Sequence, residues 1–113
     1  SPMSSRLASL LALALLASLA ACDDSTGIVA ADIACPTPQK LTYANYGQAV
    51  IEAECLDCHA TKERPFLDTQ ARVQQNANKI IEEAVYHSAM PEDGSMTNAE
   101  RIQLGQWLTC GAP

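Results

Sequence analysis

The sequence predicts an all-α fold of about three helices in one small domain. Apolar residues recur at the three- and four-residue spacing of a helix in three separate stretches, and no stretch has a convincing strand pattern. The chain has 113 residues, which is enough for one domain and no more. We therefore expect a single helical domain, preceded by segments that do not belong to it.

The first two predicted helices are marked by apolar stripes and by capping residues. The first covers about 43–58, its apolar residues fall mostly on one face, and Thr42 can cap it. The second covers about 69–87, has a longer apolar stripe, and can be capped by Asp68 or Thr69. Both helices should therefore bury one face.

The third predicted helix, about 98–109, has the clearest boundaries. Thr97 and Glu100 form a capping-box pattern, in which each side chain bonds to the other residue's free backbone N–H. Gly111 follows as a C-terminal stop.

The N-terminus has the features of an export signal. Arg6 precedes an apolar and small-residue run over 7–21, which is too short and alanine-rich to span a bilayer comfortably. The sequence LAAC over 19–22 resembles the cleavage site of bacterial lipoproteins, in which Cys22 would become the lipidated first residue. A plain signal peptide with a nearby cysteine is the alternative. We predict a signal at 1–21, a tether at 22–41 and the domain at 42–113.

The charge balance and the composition limit the possible functions. Removing 21 residues from 113 leaves 92, and the loss of Arg6 leaves six Lys and Arg against 13 Asp and Glu, a net charge of −7. Such a chain is not expected to bind nucleic acid through its charge. With one Trp, one Phe and three Tyr in the whole chain, its core is small. Small domains of this kind usually need a disulfide, a metal or a cofactor for stability.

The stretch CLDCH contains two thiols and an imidazole within five residues. Cys55 and Cys58 are spaced i, i+3, on one side of a helical turn, so each can add to one vinyl group of a single haem, and His59 can then reach the iron. A zinc site normally needs four ligands, usually as two spaced pairs, and a thioredoxin-like dithiol expects a βαβ context. The spacing therefore favours covalent attachment of haem c.

A six-coordinate haem needs a second axial ligand to the iron, which must come from elsewhere in the chain. Met90 lies in a polar loop before Pro91, which favours a ligand over the usual role of Met in filling core gaps. Met96, beside the third helix, is a weaker candidate. His87 would give bis-His ligation, and its alternative role is to interact with the C-terminal dipole of the second helix.

These residues together resemble the small class I cytochromes c of bacteria. The matching stretches are YANYGQAVIEAECLDCHA, RPFL and AMPEDGSMTNAERIQLGQWLTCGAP, within about 42–113. The resemblance implies His59 and Met90 as axial ligands and a contact between the Pro65 carbonyl and His59. It also implies that the first and last helices cross closely, through Gly47, Val50 and Ile51 on one side and Leu104, Gly105 and Trp107 on the other.

The remaining cysteines, Cys35 and Cys110, flank the helices that this family packs together. In an oxidising compartment we expect a disulfide between them, and two unpaired thiols are the alternative.

The sequence as a whole predicts a periplasm-facing electron carrier that is held to a membrane through Cys22. It would exchange single electrons with redox partner proteins and would not be an enzyme. One alternative is a haem-based ligand sensor or peroxidase-type domain whose sixth iron position can open. Another is a structural lipoprotein whose CLDCH stretch binds zinc or nothing.

Overall fold

The computed structural model describes residues 24–113, so the predicted signal and Cys22 lie outside the described part. Residues 24–113 are mostly helical and contain no β-strand, which confirms the all-α prediction; an isolated antiparallel bridge pairs Ser25 with His87. Within this range no helix is both long and apolar enough to cross a membrane.

The first helical segment begins after Thr42, whose side chain accepts a hydrogen bond from the Asn45 backbone N–H. Its opening turn is wide, because Gly47 N–H reaches back five residues to the Thr42 carbonyl. A break at Cys55, which leaves the helical region at φ −124°, separates the last turn from the rest. The segment consists of Tyr43–Gly47, Gln48–Glu54 and Leu56–His59.

The second helical segment begins after Thr69, whose hydroxyl accepts a hydrogen bond from Arg72 N–H. Asn76 interrupts it, because its side-chain amide donates to the Arg72 carbonyl at 2.8 Å and competes with the regular backbone pattern. The segment consists of Gln70–Gln75, Ala77–Ile80 and a wider turn, Ile81–Tyr86.

The third helix is Asn98–Thr109. The capping box is formed: Glu100 N–H donates to the Thr97 hydroxyl at 3.2 Å, and Thr97 N–H donates to the Glu100 carboxylate at 3.0 Å. Gly111, at φ 94°, ends the helix and donates its N–H to the Leu108 carbonyl at 2.9 Å. Local capping chemistry therefore sets both ends of this helix.

The first and third helical segments meet at Gly47 and Trp107. The Trp107 ring is fully buried, and a Cβ placed on Gly47 would lie 2.2 Å from its Cζ2 atom. Tyr43 stacks on the ring with centroids 6.4 Å apart, and Tyr46 meets it edge-on at 5.8 Å. The missing side chain of Gly47 thus allows the indole to lie against the first segment.

The described part of the predicted tether is packed on the domain. Ile28 and Ile33 belong to the core, and the short 3₁₀ helix Ala30–Ile33 lies on the third helix. The approach is close because Gly105 has no side chain: a Cβ there would lie 2.5 Å from Ile33 Cγ2. The sequence treats 22–41 as a tether, and from Asp24 onward the structure instead has an arm that contributes to the core. The arm has no helical stripe of apolar residues, so periodicity did not reveal its two buried isoleucines.

A disulfide joins this arm to the end of the third helix. It links Cys35 to Cys110, with the Cα atoms 4.9 Å apart and the two residues 75 positions apart in sequence. The covalent loop therefore encloses all three helical segments.

Candidate functional site

Cys55, Cys58 and His59 lie on one helical turn at the end of the first segment. His59 N–H donates to the Cys55 carbonyl at 2.9 Å, which closes this turn. Cys55 is half-buried, Cys58 is exposed, and neither forms a disulfide. The turn therefore presents two thiols and an imidazole side by side.

The Cys55 thiol is in a poor setting for redox or thiolate chemistry. Burial, and after it the negative charge of Glu54, raises the pKa of Cys55 to about 11. Thiols that act in disulfide exchange have pKa values at or below neutrality, because the thiolate is the reactive species. A thioredoxin-like role for the pair is disfavoured, whereas a thiol that becomes a thioether needs no thiolate in the folded protein.

The His59 ring is oriented by backbone carbonyls. Its Nδ1 atom lies 2.9 Å from the Pro65 carbonyl oxygen and 3.2 Å from that of Glu63. A carbonyl can only accept, so Nδ1 bears the proton and the lone pair is on Nε2. Metal-bound histidines are commonly oriented in this way, through the nitrogen that does not bind the metal. The Pro65 contact is the one that the family resemblance implies.

Two adjoining cavities border this turn, and Cys55, His59 and Met90 line both. The larger, of about 670 Å³, also has Cys58 in its wall, and its volume falls within the usual range for sites of small organic ligands. The smaller, of about 160 Å³, has an apolar wall that includes Leu67, Ile80, Ala84, Pro65 and Pro91. The structure thus brings the four residues predicted to hold haem, Cys55, Cys58, His59 and Met90, to one site.

Met90 is fixed through its backbone. Its N–H donates to the Glu83 carbonyl at 2.9 Å, and its carbonyl accepts from Arg101 Nη1 at 2.6 Å. The loop that follows is braced against the first helical segment, since the Ser95 hydroxyl donates to the Glu54 carboxylate. The Met90 main chain is therefore held from two helical segments.

The other two candidate ligands lie elsewhere. Met96 is buried in the core and lines a separate cavity beside Tyr46. His87 is absent from the walls of both cavities around His59.

His87 is engaged by carboxylates at both ring nitrogens. Its Nδ1 lies 3.0 Å from Asp24 Oδ1, and its Nε2 lies 3.2 Å from Glu82 Oε1. The hydrogen bond to Asp24, followed by the nearby negative charges, raises the pKa of His87. Next to this pair, Thr26 N–H donates to the Tyr86 carbonyl at 3.0 Å. The start of the arm is therefore attached to the end of the second helical segment through both Tyr86 and His87.

The mouth of the larger cavity is acidic. Six carboxylate side chains line it: Glu52, Glu54, Asp57, Glu63, Glu92 and Asp93. Two cations, Arg64 and Lys79, line the smaller cavity. The surface around the cysteines therefore carries strong negative charge.

The sequence analysis did not identify Arg101, whose side chain holds the Met90 carbonyl, as a residue of the site. Its side chain is only 2% exposed, and it lies on the buried face of the third helix with Leu104 and Leu108. The spacing i, i+3, i+7 was the available signal, because it places a charged residue on an apolar stripe.

Across residues 24–113, no three His, Cys, Asp or Glu side chains form a group that could bind a metal ion. A haem, which supplies four nitrogen donors of its own, does not require such a group.

No family model, curated protein or solved structure matches this chain.

Proposed function

We propose that this protein is a c-type cytochrome that carries single electrons outside the cytoplasm. The observation that supports this most directly is the shared cavity lined by Cys55, Cys58, His59 and Met90. These are the two thiols, the imidazole and the thioether that a covalently attached haem with His and Met ligands would use, and they come from two separate segments of the chain.

The residues present fit one haem c. Cys55 and Cys58 would form the thioether bonds, and the apolar wall of the smaller cavity suits a macrocycle. His59 donates its Nδ1–H to the Pro65 carbonyl, which leaves Nε2 available for the iron, and Met90 offers a sulfur ligand. The haem would supply a one-electron couple, and a thioether ligand raises its potential relative to a second imidazole.

The remaining protein groups favour a carrier over a catalyst. The Met90 main chain is tied at both its N–H and its carbonyl, so its sulfur would be held close to a bound haem iron as a ligand. An iron with a protein ligand on each side would bind peroxide or small ligands less readily than an open iron, which separates this function from the sensor or peroxidase alternative.

The acidic mouth of the cavity suits a partner with a basic docking face. Complementary charge accelerates encounter and fixes orientation more than it raises affinity. Electron exchange with such a partner should slow steeply as ionic strength rises, since exposed charges are screened by salt.

Membrane attachment is proposed through a lipidated Cys22, with the domain facing the periplasm. Stable anchoring requires more than one acyl chain. Cys22→Ser should abolish partition into membranes while leaving the haem domain intact. A serine variant that remains in the membrane fraction until detergent is added would contradict this anchor.

The test of haem attachment is expression of the chain together with haem-attachment machinery. The purified protein should be red, and its haem should remain with the polypeptide after denaturation in acidic organic solvent. Cys55→Ala with Cys58→Ala should release the haem. The double variant Cys35→Ser with Cys110→Ser is the matched control, because it removes two cysteines outside the cavity and should keep the haem.

The axial ligands are tested by three single variants of the haem-loaded protein. Met90→Ala should abolish the weak band near the red end of the visible spectrum that a thioether bound to ferric iron produces, and the iron should then bind cyanide or CO readily. His87→Ala and Met96→Leu should leave the spectrum nearly unchanged. If His87→Ala is instead the variant that opens the iron, bis-His ligation replaces this assignment.

A further inference from the structure

We propose that Arg101 is a positioning residue that holds the Met90 sulfur on the iron by anchoring the Met90 carbonyl. This inference rests on the proposed function, because it concerns the ligand of the haem described there. It goes further by giving a specific task to a buried charge that the haem-binding residues themselves do not explain.

The contacts of Arg101 are few and specific. Its Nη1 atom donates to the Ala84 carbonyl at 2.7 Å and to the Met90 carbonyl at 2.6 Å. No carboxylate forms an ion pair with it anywhere in residues 24–113. A single guanidinium nitrogen therefore bridges the second helical segment and the Met90 loop.

The position of Arg101 is costly for a charged group. The side chain is 2% exposed and lies on the same helical face as Leu104 and Leu108, where an apolar residue would be expected. Burying a charge costs several kcal/mol unless hydrogen bonds or an opposite charge compensate. The Glu100 carboxylate interacts with Arg101 electrostatically without forming an ion pair. The two carbonyls supply the hydrogen-bonded part of the compensation, so the desolvation of Arg101 is tied to the placement of Met90.

The two restraints on Met90 come from different parts of the fold. Its N–H is held by the Glu83 carbonyl, and its carbonyl is held by Arg101 from the third helix. Removing the arginine would leave only the first restraint, and it would leave the Met90 and Ala84 carbonyls without the bonds that Arg101 donates. The loop would then gain freedom at the residue whose sulfur must stay on the iron.

A loosened Met90 should exchange with external ligands more easily. Ferric iron binds a thioether weakly, so the occupancy of this bond is sensitive to how well the loop is organised. We expect the apparent affinity of ferric Arg101→Met for cyanide to rise at least tenfold, which corresponds to about 1.4 kcal/mol. The band from the sulfur–iron bond should weaken in proportion.

The experiment uses the haem-loaded full chain in four forms: wild type, Arg101→Met, Arg101→Lys and the control Arg72→Met. Arg72 is an exposed arginine that pairs with Asp68 at 2.6 Å and has no contact with Met90. Each form is measured for covalent haem, thermal unfolding, the sulfur–iron band and cyanide affinity.

Loss of the band and tighter cyanide binding in Arg101→Met, an intermediate effect in Arg101→Lys and none in Arg72→Met would support the proposal. A lower melting temperature of Arg101→Met with an unchanged band and cyanide affinity would overturn it, because the residue would then be purely structural. If Arg101→Met does not fold, the same criteria apply to Arg101→Lys. A wild-type protein without covalent haem would overturn the proposed function itself, and this inference with it.

Discussion

The substitution Gly47→Ala tests the crossing of the first and third helical segments. Gly47 has φ −62° and ψ −43°, values that alanine adopts without strain, so the backbone conformation gives no reason for a glycine here. The reason is steric, because an added Cβ would lie 2.2 Å from Cζ2 and 2.3 Å from Cη2 of Trp107.

The magnitude follows from how little the tryptophan can move. Carbon atoms pack best at about 3.5–4.0 Å, so the ring or the helix must shift by more than about 1 Å. Trp107 is fully buried and lies between Tyr43 and Tyr46. Overpacking of this kind costs about 1–3 kcal/mol, and the better helix propensity of alanine returns roughly 0.5–1 kcal/mol. We expect a net loss of about 1–2 kcal/mol in the free energy of unfolding.

The assay is urea and thermal unfolding, followed by circular dichroism, of the protein with its disulfide intact. For a domain of this size the expected loss lowers the melting temperature by roughly 4–16 °C. The control is Ala49→Gly, an exposed position on the same segment, where only the propensity cost of about 0.5–1 kcal/mol applies. A Gly47→Ala protein as stable as wild type would refute the argument that the indole requires the glycine.

Three further predictions follow from other features of the fold. Replacing both cysteines of the disulfide with serine should destabilise the protein by about 4 kcal/mol on the chain-entropy model for a 75-residue loop, measured by urea unfolding against wild type with the disulfide intact. Because Asp24 raises the pKa of His87, the stabilisation of the arm by this pair should be complete below about pH 6.5, the pKa of His87 in the unfolded chain, and lost as pH rises through its higher pKa in the folded protein. Amide hydrogen exchange of Thr26 should accelerate over that range. The variant His87→Gln should abolish this pH dependence. In the folded protein without haem, Cys58 should be alkylated well before Cys55, whose pKa is about 11; equal rates in peptide mapping would contradict the burial of Cys55.

The parts of the fold that were predictable from sequence are those set by local chemistry. Thr97 and Glu100 define the start of the third helix through bonds within four residues, and the structure has that helix at Asn98–Thr109. The packing of the arm could not be predicted in this way. Ile28 and Ile33 lie in a stretch without a helical apolar stripe, and Ile33 packs into the space beside Gly105, about 70 residues away in sequence.

In the candidate site, too, the local arrangement was predictable from sequence and a contact between distant residues was not. Spacing alone placed Cys55, Cys58 and His59 on one turn, since positions i, i+3 and i+4 of a helix lie on the same face. The bond from Arg101 to the Met90 carbonyl links a helix to a loop through the main chain. A backbone acceptor leaves no trace in the type of residue that carries it, so the sequence could not reveal this contact.

The attachment of the arm changes how far an anchored domain could travel. The Ser88 N–H donates to the Asp24 carbonyl at 2.9 Å, so the chain is already fastened to the domain two residues after Cys22. Two residues span at most about 7 Å, so the distance between the lipid and the domain would be far shorter than a flexible 20-residue tether allows. A lipid on Cys22 would therefore restrict the domain to a thin layer at the bilayer surface. Its encounters would depend on lateral diffusion within that layer, where effective concentration strongly favours partners that share the same membrane.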